Sequence, residues 1–268
     1  MKNISSIVRL GLVSVVMIIG FNGCSVKIPV NKEVGQLNLK YQIKEKKQKV
    51  NKKIAIIAPE FIGRGGSRFN TKLRENYKGR LSKSMSNSFE DLILKKGFTI
   101  GGKYKTFDDM TYPERKTTYM ALIPTLNIYI DNKVTQEKEY RLYHSEKGVI
   151  QISGELTLKM IEPLSKQMFM TKRINLSDFE ISKSYIYEVQ TRTTNADGFG
   201  LGSIISGIRD KASVPDNIKD NTDKVLTEAL NEFYEKAMSK IEKYISQEEI
   251  LAVENDINHA KGTTRSGM

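Results

Sequence analysis

One cysteine, Cys24, two histidines and no tryptophan stand among the 268 residues. A lone thiol excludes an intramolecular disulfide and a zinc–thiolate site. His144 and His259 lie far apart in the chain. A histidine-rich metal cluster is therefore excluded, and a Ser/His/Asp triad would have to use one of these two. The longest apolar run, Leu10 through Phe21, falls short of the ~20 residues that span a bilayer. No cofactor loop is complete. Gly63-Arg64-Gly65-Gly66 follows the apolar run Ile54–Pro59, but GxxxxGK[ST] is absent and Arg68 stands where GxGxxG needs its third glycine. The adjacent acids Asp108 and Asp109 do not make a catalytic site by themselves. These absences point away from an enzyme, with no metal and no cofactor expected.

What is present begins at the N-terminus. Residues 1–23 carry Lys2 and Arg9 and no acid, followed by the short apolar run: the layout of an export signal. The segment ends in Phe21-Asn22-Gly23-Cys24. A small residue directly before a cysteine resembles the bacterial lipobox, in which the cysteine thiol takes a diacylglyceryl group and the chain is cut just before it. On that reading Cys24 is the lipidation residue, and no thiol is left for nucleophilic chemistry. Ser25 follows, with no Asp there for inner-membrane retention, so the expected location is the outer membrane. Loss of Lys2 and Arg9 takes the formal charge from +12 to +10. A basic exported body favours acidic partners such as lipopolysaccharide phosphates, sialylated glycans or anionic lipid. The export signal argues against nucleic acid.

Residues 24–50 read as a lipidated polar tether with a candidate edge strand at Gly35–Ile43, where Leu37, Leu39, Tyr41 and Ile43 alternate with polar residues. Its Lys-rich end is either a solvated linker or a patch for anionic headgroups. A single helix–sheet domain is expected over 51–250. The continuous apolar run Ile54–Pro59 predicts a buried strand. Leu73, Tyr77, Leu81, Met85, Phe89 and Leu92 recur every three or four residues and predict a helix from Thr71 to Lys96, capped by Asn70 or Thr71. Strands follow at Phe98–Tyr104, Tyr119–Ile130 and Val149–Ile161, the last paired with Phe169–Leu176 as a hairpin, with a polar connection over Asp108–Thr117. Thr191–Gly207 is a Gly/Ser/Thr-rich loop. Its Phe199, Leu201, Ile204 and Ile205 either pack under the domain or form an interaction surface. Pro215-Asp216 opens a second long helix to Tyr244, with a stripe of Val225, Leu226, Ala229, Leu230, Phe233, Ala237, Ile241 and Ile245. Residues 251–268 are expected to be a frayed tail. The sum is an α+β, mixed α/β sandwich: a mostly antiparallel sheet of about five strands against two long amphipathic helices.

The order of these pieces resembles a known family. It runs from the lipobox cysteine through Asn31-Lys32-Glu33-Val34, Leu39-Lys40-Tyr41, the strand at Ile54–Phe61 and the helix at Tyr77–Gly97. Gly154–Leu158 with Glu162-Pro163, Leu176-Ser177-Asp178, the Gly/Ser loop and the last helix complete it. The pattern is similar to the neuraminyllactose-binding haemagglutinin family, also called flagellar sheath adhesin. The resemblance implies a lipid-anchored protein of the outer membrane or flagellar sheath, displayed at the cell surface. It also implies sialyllactose binding through a short Lys/Arg/Thr-rich segment, here Lys133-Val134-Thr135-Gln136-Glu137-Lys138. Lys133, Thr135 and Lys138 match; Val134 replaces the family's arginine and Glu137 adds an acid. Sialylated host glycans are thus the expected partner. The alternative is an envelope-assembly or structural interaction module of the outer membrane that binds no glycan.

Overall fold

Ile54, Ala55, Ile56 and Ile57 are all buried, because their strand is covered on both faces and paired on both edges. A continuous apolar run is what a parallel strand in such a place requires. A computed structural model describes residues 28–63, 65–140, 143–191 and 217–266 of the protein. Its strands are β1 (Val30–Lys32), β2 (Lys53–Ile57), β3 (Glu60–Ile62), β4 (Thr99–Tyr104), β5 (Met120–Glu139), β6 (Tyr143–Ile161), β7 (Met168–Asn175), β8 (Ser182–Gln190) and β9 (Ile218–Asp220). Among the described residues they form one nine-stranded sheet in the order β1-β9-β8-β6-β5-β2-β4, with β3 on β5 and β7 on β6.

The sheet is mixed, which corrects the expectation of about five mostly antiparallel strands. Parallel pairing joins β2 to β4 and β5, β3 to β5, and β1 to β9; antiparallel pairing joins β6 to β7 and β8 to β9. The parallel neighbours β2 and β4 are linked by a helical crossover, as parallel pairing demands. The chain divides into two compact units. Among the described residues, the larger is 34–63, 65–135, 148–185 and 221–266; the smaller is 28–33, 136–140, 143–147, 186–191 and 217–220.

In the larger unit the crossover comprises α1 (Arg68–Lys72), a π-helical turn (Leu73–Tyr77) and α2 (Lys78–Lys95). Every residue of the expected stripe from Leu73 to Leu92 is buried. The helix starts earlier than expected, and Ser67 caps it by accepting from the Asn70 backbone N–H. Asn70 instead ties the first turn to β5: its amide donates to the Ile130 carbonyl at 3.0 Å and accepts from the Ile130 N–H at 2.9 Å. The connection over Asp108–Thr117 contains the short helix α3 (Tyr112–Thr117).

The second long helix, α4 (Thr222–Tyr244), begins later than Pro215-Asp216, because β9 comes first. Its expected stripe is buried throughout. Helices α5 (Gln247–Ala252) and α6 (Glu254–Ser266) replace the expected frayed tail. Ile257 and Ala260 of α6 are buried, and the Lys261 ammonium donates to the Thr118 carbonyl at 2.6 Å.

The expected edge strand Gly35–Ile43 is not a strand. The alternation there does mark burial, since Leu37 and Ile43 are inside. The backbone is satisfied by helix side chains rather than by a neighbouring strand. Asn231 of α4 accepts from the Asn38 N–H and donates to the Gln36 carbonyl. Glu242 of α4 accepts from the Tyr41 hydroxyl at 2.6 Å and from the N–H groups of Lys44 and Glu45. The supposed linker is therefore bound to the helices from residue 35 onward.

An ion-pair cluster closes this arm. The Lys96 ammonium, on a side chain only 2% exposed, meets Glu45 at 2.5 Å, and Lys47 joins Glu45 to Glu248. Hydrogen bonds from Lys96 and then Lys47 pull the Glu45 carboxyl down from 4.5 to about 2. A carboxyl lowered on folding stabilises the fold above its unfolded value and loses that contribution as pH falls through the folded one. Acid unfolding should therefore show a loss between pH 4.5 and about 2 that Glu45→Gln removes, measured by circular dichroism across that window.

Candidate functional site

Lys133, Thr135 and Lys138 lie inside β5, in its exposed outer half, and not in a hairpin loop. The strand continues because residues 131–139 keep extended backbone after the buried positions Leu126, Ile128 and Ile130 end. Strand side chains alternate between faces. Lys133 and Thr135 therefore share one face of β5, and Lys138 stands on the other. Cys24 and the loop residues Phe199, Leu201, Ile204 and Ile205 lie outside the described residues.

The smaller unit holds a compact acidic and aromatic group. His144 Nδ1 meets Glu139 at 2.7 Å, and its Nε2 lies 3.9 Å from both Glu137 and Glu146. Tyr140 and Tyr143 stack at 4.2 Å beside Ile28 and Ile218. Burial, then the bond with Tyr140, pushes the Tyr143 hydroxyl up to about 12. Glu137, the acid within the Lys133–Lys138 segment, is thus drawn toward a histidine. Among the described residues no group of His, Cys, Asp and Glu has the geometry of a metal site.

A concavity lies elsewhere, in the larger unit. A groove of about 510 Å³ runs between β7, with the turn that follows it, and α4. Ile174 of β7 and Phe233 of α4 are buried, and the Phe233 ring lies 6.4 Å from that of Phe179. The lining includes Arg173, Asp178, Phe179, Lys240, Lys243 and Tyr244. At one end Glu232 is held between Lys183 and Lys236, each at 2.8 Å, and Lys183 first, then Lys236, lowers its carboxyl. Lys236 also donates to the Phe179 carbonyl at 2.7 Å. Lys240 lies 5.2 Å from the centre of the Tyr244 ring.

The readings made from sequence named none of these groove residues. The signal was available: Lys236, Lys240 and Lys243 repeat at helical spacing beside the apolar stripe of α4.

The fold is thus a mixed α/β body with a groove between β7 and α4. The family model described as "Neuraminyllactose-binding hemagglutinin precursor" matches residues 24–264, and the chain belongs to that family. It is 23% identical over 251 residues to a neuraminyllactose-binding hemagglutinin of Helicobacter pylori, covering 90% of this chain and 88% of the relative. The corresponding protein of strain J99 is 22% identical over 250 residues, with 89% and 88% covered. A crystal structure of a homologue of that hemagglutinin from Helicobacter pylori superposes with a TM-score of 0.54 at 18% identity, covering 87% of this chain and all of the other. The likeness to that structure is one of fold. The family's name describes binding and not catalysis. Among the described residues no helix is long and apolar enough to cross a membrane.

Proposed function

We propose that this is a lipid-anchored surface protein of the outer membrane or flagellar sheath that works by adhesive contact with sialylated glycans and performs no catalysis. The observation that carries the reading is the family match, which begins at Cys24 itself. The export signal ends one residue earlier. Lipid on that thiol contributes about 0.8 kcal/mol per buried CH₂, and more than one chain gives stable attachment. The net charge of the body favours a sugar that carries a carboxylate. Lys133, Thr135 and Lys138 are candidate contacts. Their division between the two faces of β5 means that a sugar lying on one face meets Lys133 and Thr135 without Lys138.

Two measurements test the reading. Cells fed a palmitate analogue should label the wild-type chain and not Cys24→Ala; equal labelling would remove the anchor. Protease added to intact cells should digest the body. Survival until the outer membrane is broken would place the protein facing the periplasm and overturn surface adhesion.

A further inference from the structure

We propose that the edge strand β1 rests on the bilayer that holds the Cys24 lipid, with the Val30 side chain and the outward backbone of Val30 and Lys32 against phosphate-bearing headgroups. The inference rests on the lipid-anchor reading and names the part of the body that meets the lipid. Ile28 is already fixed in the fold. It is buried with Tyr143 and Ile218, and its N–H donates to the Gln190 side-chain oxygen at 3.3 Å. Only four Cα steps separate it from Cys24. A fully extended chain covers at most about 14 Å over that distance. The tether expected over residues 24–50 would have reached roughly 90 Å. The body therefore has no long leash, and whatever adjoins Ile28 is held at the membrane surface.

What adjoins Ile28 is β1. Among the described residues it is the last strand at its end of the sheet, and all of its residues are exposed. Val30 is 58% exposed, a large apolar side chain left at the surface. The ladder to β9 uses alternate residues. The Pro29 carbonyl accepts from the Ile218 N–H at 2.9 Å, and the Glu33 N–H donates to the Asp220 carbonyl at 2.8 Å. Backbone groups of a parallel strand alternate between its two sides, so those of Val30 and Lys32 point off the open edge. Lipid phosphate and ester oxygens accept such N–H groups, and the boundary between headgroups and acyl chains takes an apolar side chain. Three residues are too short an edge to template a strand from another chain, which favours lipid over a second copy. Charge does not drive the contact, because Lys32 and Lys219 are offset by the neighbouring Glu33 and Asp220. One valine would not hold a free protein on a bilayer. Beside the lipid it need not, since the anchor makes the contact intramolecular.

The test uses the full-length lipidated chain in vesicles of phosphatidylethanolamine and phosphatidylglycerol. Cys24 is the only cysteine and its thiol carries the lipid, so one introduced cysteine takes a fluorescent probe alone. The variants are Val30→Cys and, as the control in the larger unit, Leu94→Cys, whose position is 49% exposed. Each is checked for an unchanged melting curve, and each is also made with roughly ten Gly/Ser residues inserted between Lys27 and Ile28. Nitroxide-bearing lipids should quench the probe at position 30 at least about twofold more than the probe at 94, as a side chain at headgroup depth requires. The insertion should bring the two to the same level, and added salt should not. Equal quenching at 30 and 94 without the insertion would overturn the contact. So would a probe at 30 that is shielded from water yet untouched by the nitroxide lipids, which would mean that protein covers the edge. Quenching that survives the insertion would overturn the short leash as its cause. A wild-type chain that does not float with the vesicles would overturn the anchor reading itself, and the contact with it.

Discussion

Gly154→Ala is expected to destabilise the fold by roughly 3–5 kcal/mol, combining positive-φ strain with overpacking. Gly154 has φ +116°, a region that side-chain-bearing residues rarely enter. It falls in the row of β6 that turns inward, between buried Ile152 and Leu156. A methyl group there would lie 2.0 Å from the Asn127 carbonyl oxygen and 3.3 Å from the Ile128 Cα. Both belong to the adjoining strand β5, so relief requires two paired strands to separate. In a chain of this size each kcal/mol moves the melting midpoint by about 2–4 °C. A fall of roughly 10 °C or more should appear in a thermal melt. Gly262→Ala provides the contrast: it sits in α6 with nothing within 4 Å of the added carbon, and its melt should match or exceed the wild type. A Gly154→Ala melt equal to the wild type would mean that β5 and β6 are not packed in this way.

The strength of each periodic signal in the sequence explains which parts of the fold it revealed. Both long helices were legible because six to eight apolar residues recur at helical spacing, and burial of those stripes is what docks them. The run at Ile54–Ile57 was legible for a related reason: a strand covered on both faces leaves no room for polar residues. Its parallel pairing with β4 and β5 was implicit in the same run, yet only the crossover makes it evident. The β6–β7 hairpin was legible from alternation. The outer half of β5 was not, since residues 131–139 are exposed on both faces and no apolar period survives there. The arm at Gly35–Ile43 misled in the opposite sense. Its alternation recorded true burial, but side chains of α4, not a strand, satisfy its backbone.

The site was less legible than the fold. A short Lys/Thr segment can be matched by resemblance, but only the strand shows that its residues divide between two faces. The groove required a contact between β7 and α4, some 60 positions apart, which no local pattern encodes. The three lysines of α4 read as ordinary solvated charge, and only the fold sets them along a groove with Phe179.

Asp223→Ala is expected to cost about 3 kcal/mol, because one carboxylate holds three stretches of the chain together. Asp223 lies in the first turn of α4, where a negative charge faces the positive end of the helix. Its Oδ1 accepts from the Tyr77 hydroxyl at 2.6 Å, and its Oδ2 from the Gly35 N–H at 3.4 Å. Tyr77 closes the π-helical turn at the start of the crossover helix, and Gly35 begins the docked arm. Gly35 sits so near α4 that a methyl group there would lie 1.8 Å from Thr227 Oγ1 and 2.7 Å from the Lys224 Cα. Burial first, and then the bond to Asp223, raises the Tyr77 hydroxyl well above its ordinary range. Truncating the carboxylate leaves that hydroxyl inside without an acceptor, at about 1–3 kcal/mol, and removes the charge that favours the helix end. Denaturant unfolding of Asp223→Ala, Tyr77→Phe and the double variant separates these contributions. Coupling of at least 1 kcal/mol is expected between the two residues. Losses that add to within about 0.5 kcal/mol would show that the bond contributes nothing net and that α4 and the crossover helix are held by their apolar stripes alone.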